Sequence, residues 1–410
     1  MTDDLVTVED HRDRILAAIE PLPAFDQPLM EAFGLSAAED VHAAVALPGF
    51  DNSAMDGYAV LHADVASASA EHPVHLPVVG EIGAGQATLL AMSPGTAVKI
   101  MTGAPVPAGA DSVVPYEWTD RGVAQVVISQ APEPGQHVRP RGQDVSEGDL
   151  LVAEGTVLGP RQIGLLAAVG RPSVRSRPRP RVVILSTGSE LREPGTALGH
   201  DSVYDGNSFL LAAAARQAGA IAYRVGIVPD EPRSFLSALN DQLVRADLVI
   251  TSGGVSMGDY DVVKEALSPL GTVWFGGVAM QPGKPQGFGT VGEDAVPIIT
   301  LPGNPVSSYI SFEMFVLPAL RRLMGRTPYT RPSADAVLLA GLRSPQGRRQ
   351  YARGTLSIVD GRLAVTPVGP QGSHMIGDLA ESDALIVVPE SVTSVDAGET
   401  VTVLPLDEDF

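Results

Sequence analysis

The sequence predicts a multidomain α/β protein. Its centre is a three-layer α/β/α parallel-sheet domain, joined to a scaffold region, a small β-rich domain and a C-terminal β-barrel-like domain. Three observations predict this. Three short apolar runs, Arg181-Val-Val-Ile-Leu185, Asp247-Leu-Val-Ile250 and Pro297-Ile-Ile-Thr-Leu301, each close into a small Gly-bearing polar loop, as buried strands do where they end. Helical patterns alternate with such runs between Arg181 and Arg322, which parallel connections require. On either side of that segment, short β-like runs recur between Pro and Gly.

From the N-terminus, residues up to about Val45 read as helical. One helix carries Arg14-Ile-Leu-Ala-Ala-Ile19 and ends at Pro21 and Pro23, and an Ala/Glu-rich second element runs from Ala32 to Val41. These read as scaffold or dimer contacts. Residues 47–138 read as the small β-rich domain. It holds two polar loops, one at Asp56-Gly-Tyr58 and one at Met101-Thr-Gly-Ala-Pro105. Arg139-Pro-Arg-Gly-Gln-Asp144 is locally basic, and a helix runs from Pro160 to Val169 until Gly170 stops it. Arg171 to Arg181 holds five arginines and three prolines and reads as a linker.

Within the sheet domain, Asn207 or Ser208 caps a helix to Gln217, and Gly219 stops it. Ala222 to Val228 is a strand. Asp230 caps a second helix to about Arg245, with Pro232 in its first turn. Thr272 to Phe275 is a further strand, and Pro305 opens a helix to Leu323 that Pro318 should kink or break. Beyond Pro328 short β runs return, the clearest being Ala384-Leu-Ile-Val-Val388 and Thr400-Val-Thr-Val-Leu404. Two polar features mark this last region: Arg348-Arg-Gln-Tyr-Ala-Arg353-Gly and Gly369-Pro-Gln-Gly-Ser373-His.

Ligands of open parallel sheets bind beyond the carboxyl ends of the strands. The three loops therefore predict one pocket. Ser252, Gly253, Gly254 and Ser256 offer backbone N–H groups and hydroxyls suited to an oxyanion. Glu190, Asp230, Asp259 and Asp261 are carboxylates in or beside these loops, and hard oxygens near phosphate suggest Mg²⁺. Lys284, in Gln281-Pro-Gly-Lys-Pro285, adds a cation. The alternative is that Gly and Asp only build turns and caps. Three coincident loops with Lys284 favour a site.

A chain of 410 residues should form two to four domains, and 44% hydrophobic residues suffice for real cores. The formal charge of −20 argues against nucleic acid and anionic membrane surfaces as partners. With no cysteine, disulfides, thiolate nucleophiles and zinc–thiolate sites are excluded. The opening Met1-Thr-Asp-Asp-Leu5 lacks the regions of a signal peptide. No apolar run is long enough to span a bilayer. The expected compartment is cytoplasmic.

Taken together, Ser53-Ala-Met-Asp-Gly-Tyr-Ala59, Met101-Thr-Gly-Ala-Pro-Val-Pro107, Gly142-Gln-Asp144, Ser186-Thr-Gly-Ser-Glu190, Thr251-Ser-Gly-Gly-Val-Ser256, Pro282-Gly-Lys-Pro285 and Leu301-Pro-Gly-Asn-Pro-Val-Ser307 resemble the MoeA and gephyrin E-domain family, the molybdopterin molybdenumtransferases. The likeness covers essentially the whole chain in order. It implies four domains: 1–46 with 139–178 as an elongated scaffold and dimerisation domain, 47–138, 179–327 as the molybdopterin-binding domain, and 328–410. It also implies a homodimer whose active site is shared between subunits. The implied reaction is Mg²⁺-dependent insertion of molybdate into adenylylated molybdopterin with release of AMP, the last step of cofactor assembly. The matching functional residues are Asp56, Thr102, Asp144, Glu190, Asp230, Asp261 and Lys284, with Glu190 and Asp261 on the metal. Ser252, Gly253, Gly254, Ser256, Pro302, Gly303, Asn304, Arg353 and Ser373 would bind substrate.

Three positions depart from the family pattern: Gln281 where a second lysine is frequent, Ser189 before the Glu, and Gly206 within Asp205-Gly-Asn207. A molybdopterin adenylyltransferase, built on a similar sheet domain, and a non-catalytic gephyrin-like scaffold are the competing functions. The regions flanking the sheet domain weigh against the first, and the retained acidic loop residues weigh against the second.

Overall fold

The computed structural model describes residues 5–85, 91–254 and 261–407. The Thr7 hydroxyl accepts the backbone N–H of Asp10 at 3.0 Å and so starts the first helix, Val8–Ala17, which buries Val8, His11 and Ile15. The second helical element expected between Ala32 and Val41 is absent. Short strands at Phe25–Pro28, Ser36–Ala37 and Val41–His42 stand around it, and Gly34 takes a left-handed φ of 77°. The Arg/Pro stretch expected as a linker contains the strand Ser173–Arg177, which pairs with both Phe25–Pro28 and Ser36–Ala37. Val174 and Ser176 are buried on either side of the exposed Arg175. A distant pairing partner has overridden local composition at both places.

The small β-rich region forms a five-stranded sheet in the order Ser112–Pro115, Gly57–Val60, Ala97–Ile100, Val74–Ile82, Gln125–Ile128. Tyr58, Val60, Val114 and Ile128 pack in its core. Its two polar loops lie at the same end of the sheet, where Gly57 pairs with Ile100. Gly103 N–H bonds to Ser53 O at 2.8 Å, which sets the Asp56 loop beside Thr102.

The central sheet has six strands in the order Ile221–Val228, Arg181–Thr187, Leu248–Ser252, Val296–Leu301, Pro285–Val291, Val273–Gly277. The first four are parallel. The last two run antiparallel, so the sheet is not parallel throughout. A tight turn, closed by Ala295 N–H on Gly292 O at 3.3 Å, joins Pro285–Val291 to Val296–Leu301 without a crossover helix. Side chains alternate between two cores, as a pleated strand dictates. Val182 and Ile184 face helix Asn207–Gln217 and the long helix from Pro305, while Val183 and Leu185 face helices Pro232–Leu243 and Val262–Leu267.

Three helix details differ from expectation. Helix Asn207–Gln217 is capped by neither Asn207 nor Ser208. Asp205 accepts Ser208 N–H at 3.0 Å and the Ser208 hydroxyl at 2.6 Å. Asp230 does not cap Pro232–Leu243, because its carboxylate accepts Ser189 N–H at 2.6 Å instead. Pro318 does not break the helix from Pro305 to Leu323. A π-helical stretch, Phe312–Val316, precedes it, and the wider turn takes up the register change that a proline ring imposes.

The C-terminal strands close into a five-stranded barrel: Arg349–Val359, Arg362–Pro367, Ala334–Leu338, Thr400–Pro405 and Ala384–Val388, which returns to the first. Barrel and sheet domain share a backbone ladder at one short segment. Val6 N–H bonds to Gly277 O at 3.0 Å and Ala279 N–H to Val6 O at 2.8 Å. Met280–Gln281 then pairs in parallel with Arg349–Gln350.

Candidate functional site

Each of the parallel strands Arg181–Thr187, Leu248–Ser252 and Val296–Leu301 ends in a small polar loop, and the three loops meet in one cleft of about 700 Å³. Thr187, Gly188 and Glu190 come from the first loop, Ser252, Gly253 and Gly254 from the second, and Gly303 and Pro305 from the third. Gly253 and Gly254 hold left-handed φ values of 90° and 71°. A Cβ on Gly253 would lie 2.9 Å from Thr187 O, and one on Gly254 would lie 2.5 Å from the Val263 side chain. Only glycine satisfies both the conformation and the approach.

Asn207 fastens two loops together. Its amide nitrogen donates to Ser252 Oγ at 2.9 Å and to Gly303 O at 2.6 Å. Ser252 is 3% exposed and its hydroxyl also lies 3.2 Å from that of Ser308. It therefore holds the loop's shape from below. Asp205 ties the first loop in from the other side, accepting the Ser186 hydroxyl at 3.3 Å, with Arg224 3.8 Å from its other oxygen.

The cleft is acidic. Glu190, Asp205, Asp230 and Glu265 line it, and no Lys or Arg does so among the described residues. Lys284 is half-buried outside the lining, with its stem against Gly277. Asp261 is 5% exposed and heads helix Val262–Leu267, its carboxylate accepting Lys264 N–H at 3.4 Å beneath Gly254. Among the described residues no three His, Asp or Glu side chains gather into a ready-made metal cage. The donor set suits a cation that keeps several waters, takes one or two carboxylates and completes its shell from a substrate's phosphate, which is the habit of Mg²⁺.

Asn304 and Pro302 flank Gly303. Asn304 Nδ2 donates to Ser373 Oγ at 3.1 Å, and Val306 N–H bonds to Ser373 O at 3.1 Å, so the barrel's Ser373 loop sits on the third strand-end loop. Arg353 is 1% exposed. Its guanidinium donates to Gly372 O at 2.9 Å and to Pro370 O, with Asp378 3.7 Å away. Arg353 thus fastens the Ser373 loop from the outer face of the barrel strand, on the side of Leu385 and opposite the barrel-core residue Ala352, and it does not line the cleft. Burial lowers the Arg353 pKa, and Asp378 opposes that shift.

Asp56 and Thr102 form an exposed pair in the small β-rich domain and do not line this cleft within the chain. The Thr102 backbone N–H, then its hydroxyl, hold the Asp56 carboxyl below its ordinary value. Asp144 is also exposed, on the loop bonded to Leu47 O at 3.0 Å. Ser256 and Asp259 lie outside the described residues. The sequence argument missed Glu265 and the bridging role of Asn207. A signal existed for Asn207, because a polar Asp-Gly-Asn sits where a helix begins beside the strand ends.

Three family models match consecutive parts of the chain: the MoeA N-terminal region (domain I and II) at residues 6–170, a probable molybdopterin binding domain at 183–322, and the MoeA C-terminal region (domain IV) at 335–406. Molybdopterin molybdenumtransferase 2 of Mycobacterium tuberculosis is 45% identical over 98% of this chain and 99% of its own length. Molybdopterin molybdenumtransferase of Haemophilus influenzae is 36% identical over 98% and 99%. The crystal structure of a molybdopterin biosynthesis MoeA protein from Pyrococcus horikosii superposes with a TM-score of 0.86 at 31% identity, covering 99% of this chain and all of that one.

Proposed function

This chain belongs to the MoeA family, and from that premise we propose that it is a molybdopterin molybdenumtransferase of molybdenum cofactor biosynthesis, inserting molybdate into adenylylated molybdopterin with release of AMP. The observation that carries this proposal is the convergence of three strand-end loops on one acidic cleft, tied together by Asn207. Phosphoanhydride cleavage needs positioning and charge neutralisation more than a covalent nucleophile. The side-chain-free floor at Gly253, Gly254 and Gly303 lets an anionic ligand approach backbone. A chain without cysteine can do this chemistry because the sulfur is the substrate's.

Glu190, with Asp261 beneath Gly254 and Asp230 on the same rim, would hold Mg²⁺, which supplies neutralisation of phosphate charge. Lys284 would meet molybdate or phosphate oxygens from outside the described lining, and Ser373 and Asn304 would bound the pterin end. Asp56, Thr102 and Asp144 would enter the site from the second subunit of a homodimer. The pairing of Phe25–Pro28 with Ser173–Arg177 supports a scaffold domain made of 1–46 and 139–178, separating 47–138 from 179–327 and 328–410. The acidic chain and its cofactor-building role fit the cytoplasm, with neither nucleic acid nor membrane as partner.

The test supplies purified adenylylated molybdopterin, Mg²⁺ and molybdate to the full chain. Molybdate-dependent AMP release is expected. ATP consumption with bare molybdopterin would instead identify an adenylyltransferase, and no turnover with either would leave a scaffold.

A further inference from the structure

Part of the acidic cleft is lined differently. Leu191, Val203, Tyr204 and Ile376 line it together with Gly206. Leu191 pairs with Val203, and Arg192 with Tyr204, in a two-stranded ribbon that follows the first strand-end loop. Ile376 begins the helix Ile376–Glu381, just after the Ser373 loop. Val203 is 52% exposed, and Tyr204 and Ile376 are each 45% exposed. Large apolar side chains left this wet inside a cleft mark a place that a ligand covers.

Gly206 sits in the middle of this lining. Its N–H bonds to Tyr204 O at 2.9 Å. A Cβ built on it would meet only Ile376 Cδ1 among the described residues, at 4.0 Å, which is ordinary contact. Its φ of −80° and ψ of −29° are helical values open to any residue. Neither backbone nor packing therefore demands glycine here, in contrast to Gly253 and Gly254. What the missing side chain does is leave open the cleft space over Ile376, two residues from Tyr204. The Tyr204 ring is tethered, because its hydroxyl donates to Thr196 O at 2.8 Å. A tethered aromatic ring, aliphatic neighbours and open space at Gly206 suit a flat ligand, which gains stacking and apolar contact together.

We propose that this part of the cleft is a subsite for a planar fused nitrogen heterocycle, with Gly206 setting the space that the ring occupies. The proposal rests on the molybdenumtransferase reading of the cleft and deepens it. A phosphate on the glycine floor of Gly253, Gly254 and Gly303 would bring such a ring into the same cleft. Adenylylated molybdopterin carries two rings of this chemistry, the pterin and the adenine.

Anaerobic calorimetric titration of the full chain with molybdopterin and, separately, with AMP, each with Mg²⁺ present, tests the proposal and separates the two rings. The wild type should bind both. Gly206→Leu fills the open space and should weaken one of the two at least about tenfold, and the ligand that is lost names the ring in the subsite. Tyr204→Leu removes the aromatic ring at an exposed position and keeps an apolar side chain. It should weaken the same ligand at least about fivefold, and it decides should Gly206→Leu not fold. Unchanged binding of both ligands by the folded variants overturns the subsite and leaves the transferase reading standing. A wild type that binds neither ligand overturns the subsite together with that reading.

Discussion

Asp56 accepts two hydrogen bonds from Thr102, one from the backbone N–H at 2.7 Å and one from the hydroxyl at 2.8 Å. Both favour the ionised carboxylate, and its pKa is lowered accordingly. Thr102→Val keeps the backbone donor and the side-chain shape but loses the hydroxyl. Asp56 should then titrate at higher pH in a carboxyl-carbon NMR experiment while staying ionised at neutral pH. Molybdate-dependent turnover should fall, though less than in Asp56→Asn. An unmoved Asp56 titration would show that the hydroxyl does not stabilise the charge.

Asp56 and Asp261 test whether one active site uses two subunits. Asp56→Asn and Asp261→Asn should each be poor alone. In a shared-site dimer carrying one lesion per chain, both lesions fall in one site and the other is intact. Random exchange makes about half the dimers mixed, so roughly a quarter of wild-type AMP release should return. Mixed dimer isolated by distinct tags, with activity no higher than the better single variant, would rule sharing out.

Glu190→Gln and Asp261→Asn should each lower Mg²⁺-dependent turnover by at least about tenfold, the usual scale for lost metal-site support. Asn remains a good cap for helix Val262–Leu267, so thermal stability of Asp261→Asn should barely change. Normal activity and Mg²⁺ dependence in both variants would remove these residues from the metal.

Asn207→Ala removes the two donors that join the Ser252 and Gly303 loops. At about 0.5–1.5 kcal/mol per net hydrogen bond, urea unfolding should show about 1–3 kcal/mol of lost stability. The KM for the adenylylated substrate should rise more than kcat falls. A stability loss with unaltered kinetics would confine Asn207 to a structural role.

His11 is fully buried between Trp274 and Phe315, with ring centroids 5.1 and 4.6 Å away. Neither ring nitrogen meets a partner among the described residues. Burial, then Arg14, pulls its pKa down to about 3. The folded chain holds this imidazole neutral, whereas the unfolded chain protonates it below about 6.5. Stability should therefore be lost as pH falls from about 6.5 toward 3, by up to about 1.4 kcal/mol per pH unit. His11→Phe should flatten that stretch of the pH–stability curve. A curve as steep as the wild type's would locate acid sensitivity elsewhere.

The sheet and its pocket were legible because Val182 to Leu185 and their counterparts are buried on both faces, and a continuous apolar run ending in glycine has few other meanings. Asp205 was missed as a cap because two better-placed candidates, Asn207 and Ser208, stood within reach. Their side chains serve other partners. The strand Ser173–Arg177 was hidden because its alternation is Val-Arg-Ser-Arg, with a serine on the buried side, and because its partner Gln27 is 149 residues away. Arg353 had the right motif, but nothing local reveals that the carbonyls of Pro370 and Gly372 close over its guanidinium. The expected cation Lys284 points to the same limit, since side-chain direction depends on a segment gripped by two other parts of the chain.

That segment, Gly277 to Gln281, is held on one side by Val6 and on the other by barrel strand Arg349–Val359. It therefore works as a mechanical joint through which loosening of any of the three parts is felt by the others. Cutting the chain after Leu323 to obtain a free-standing sheet domain would strip Met280 and Gln281 of their ladder, three residues ahead of Lys284. Calorimetry of the intact protein should accordingly show the barrel and the central sheet melting in one transition, and the excised sheet domain should be less stable than its buried core alone would suggest.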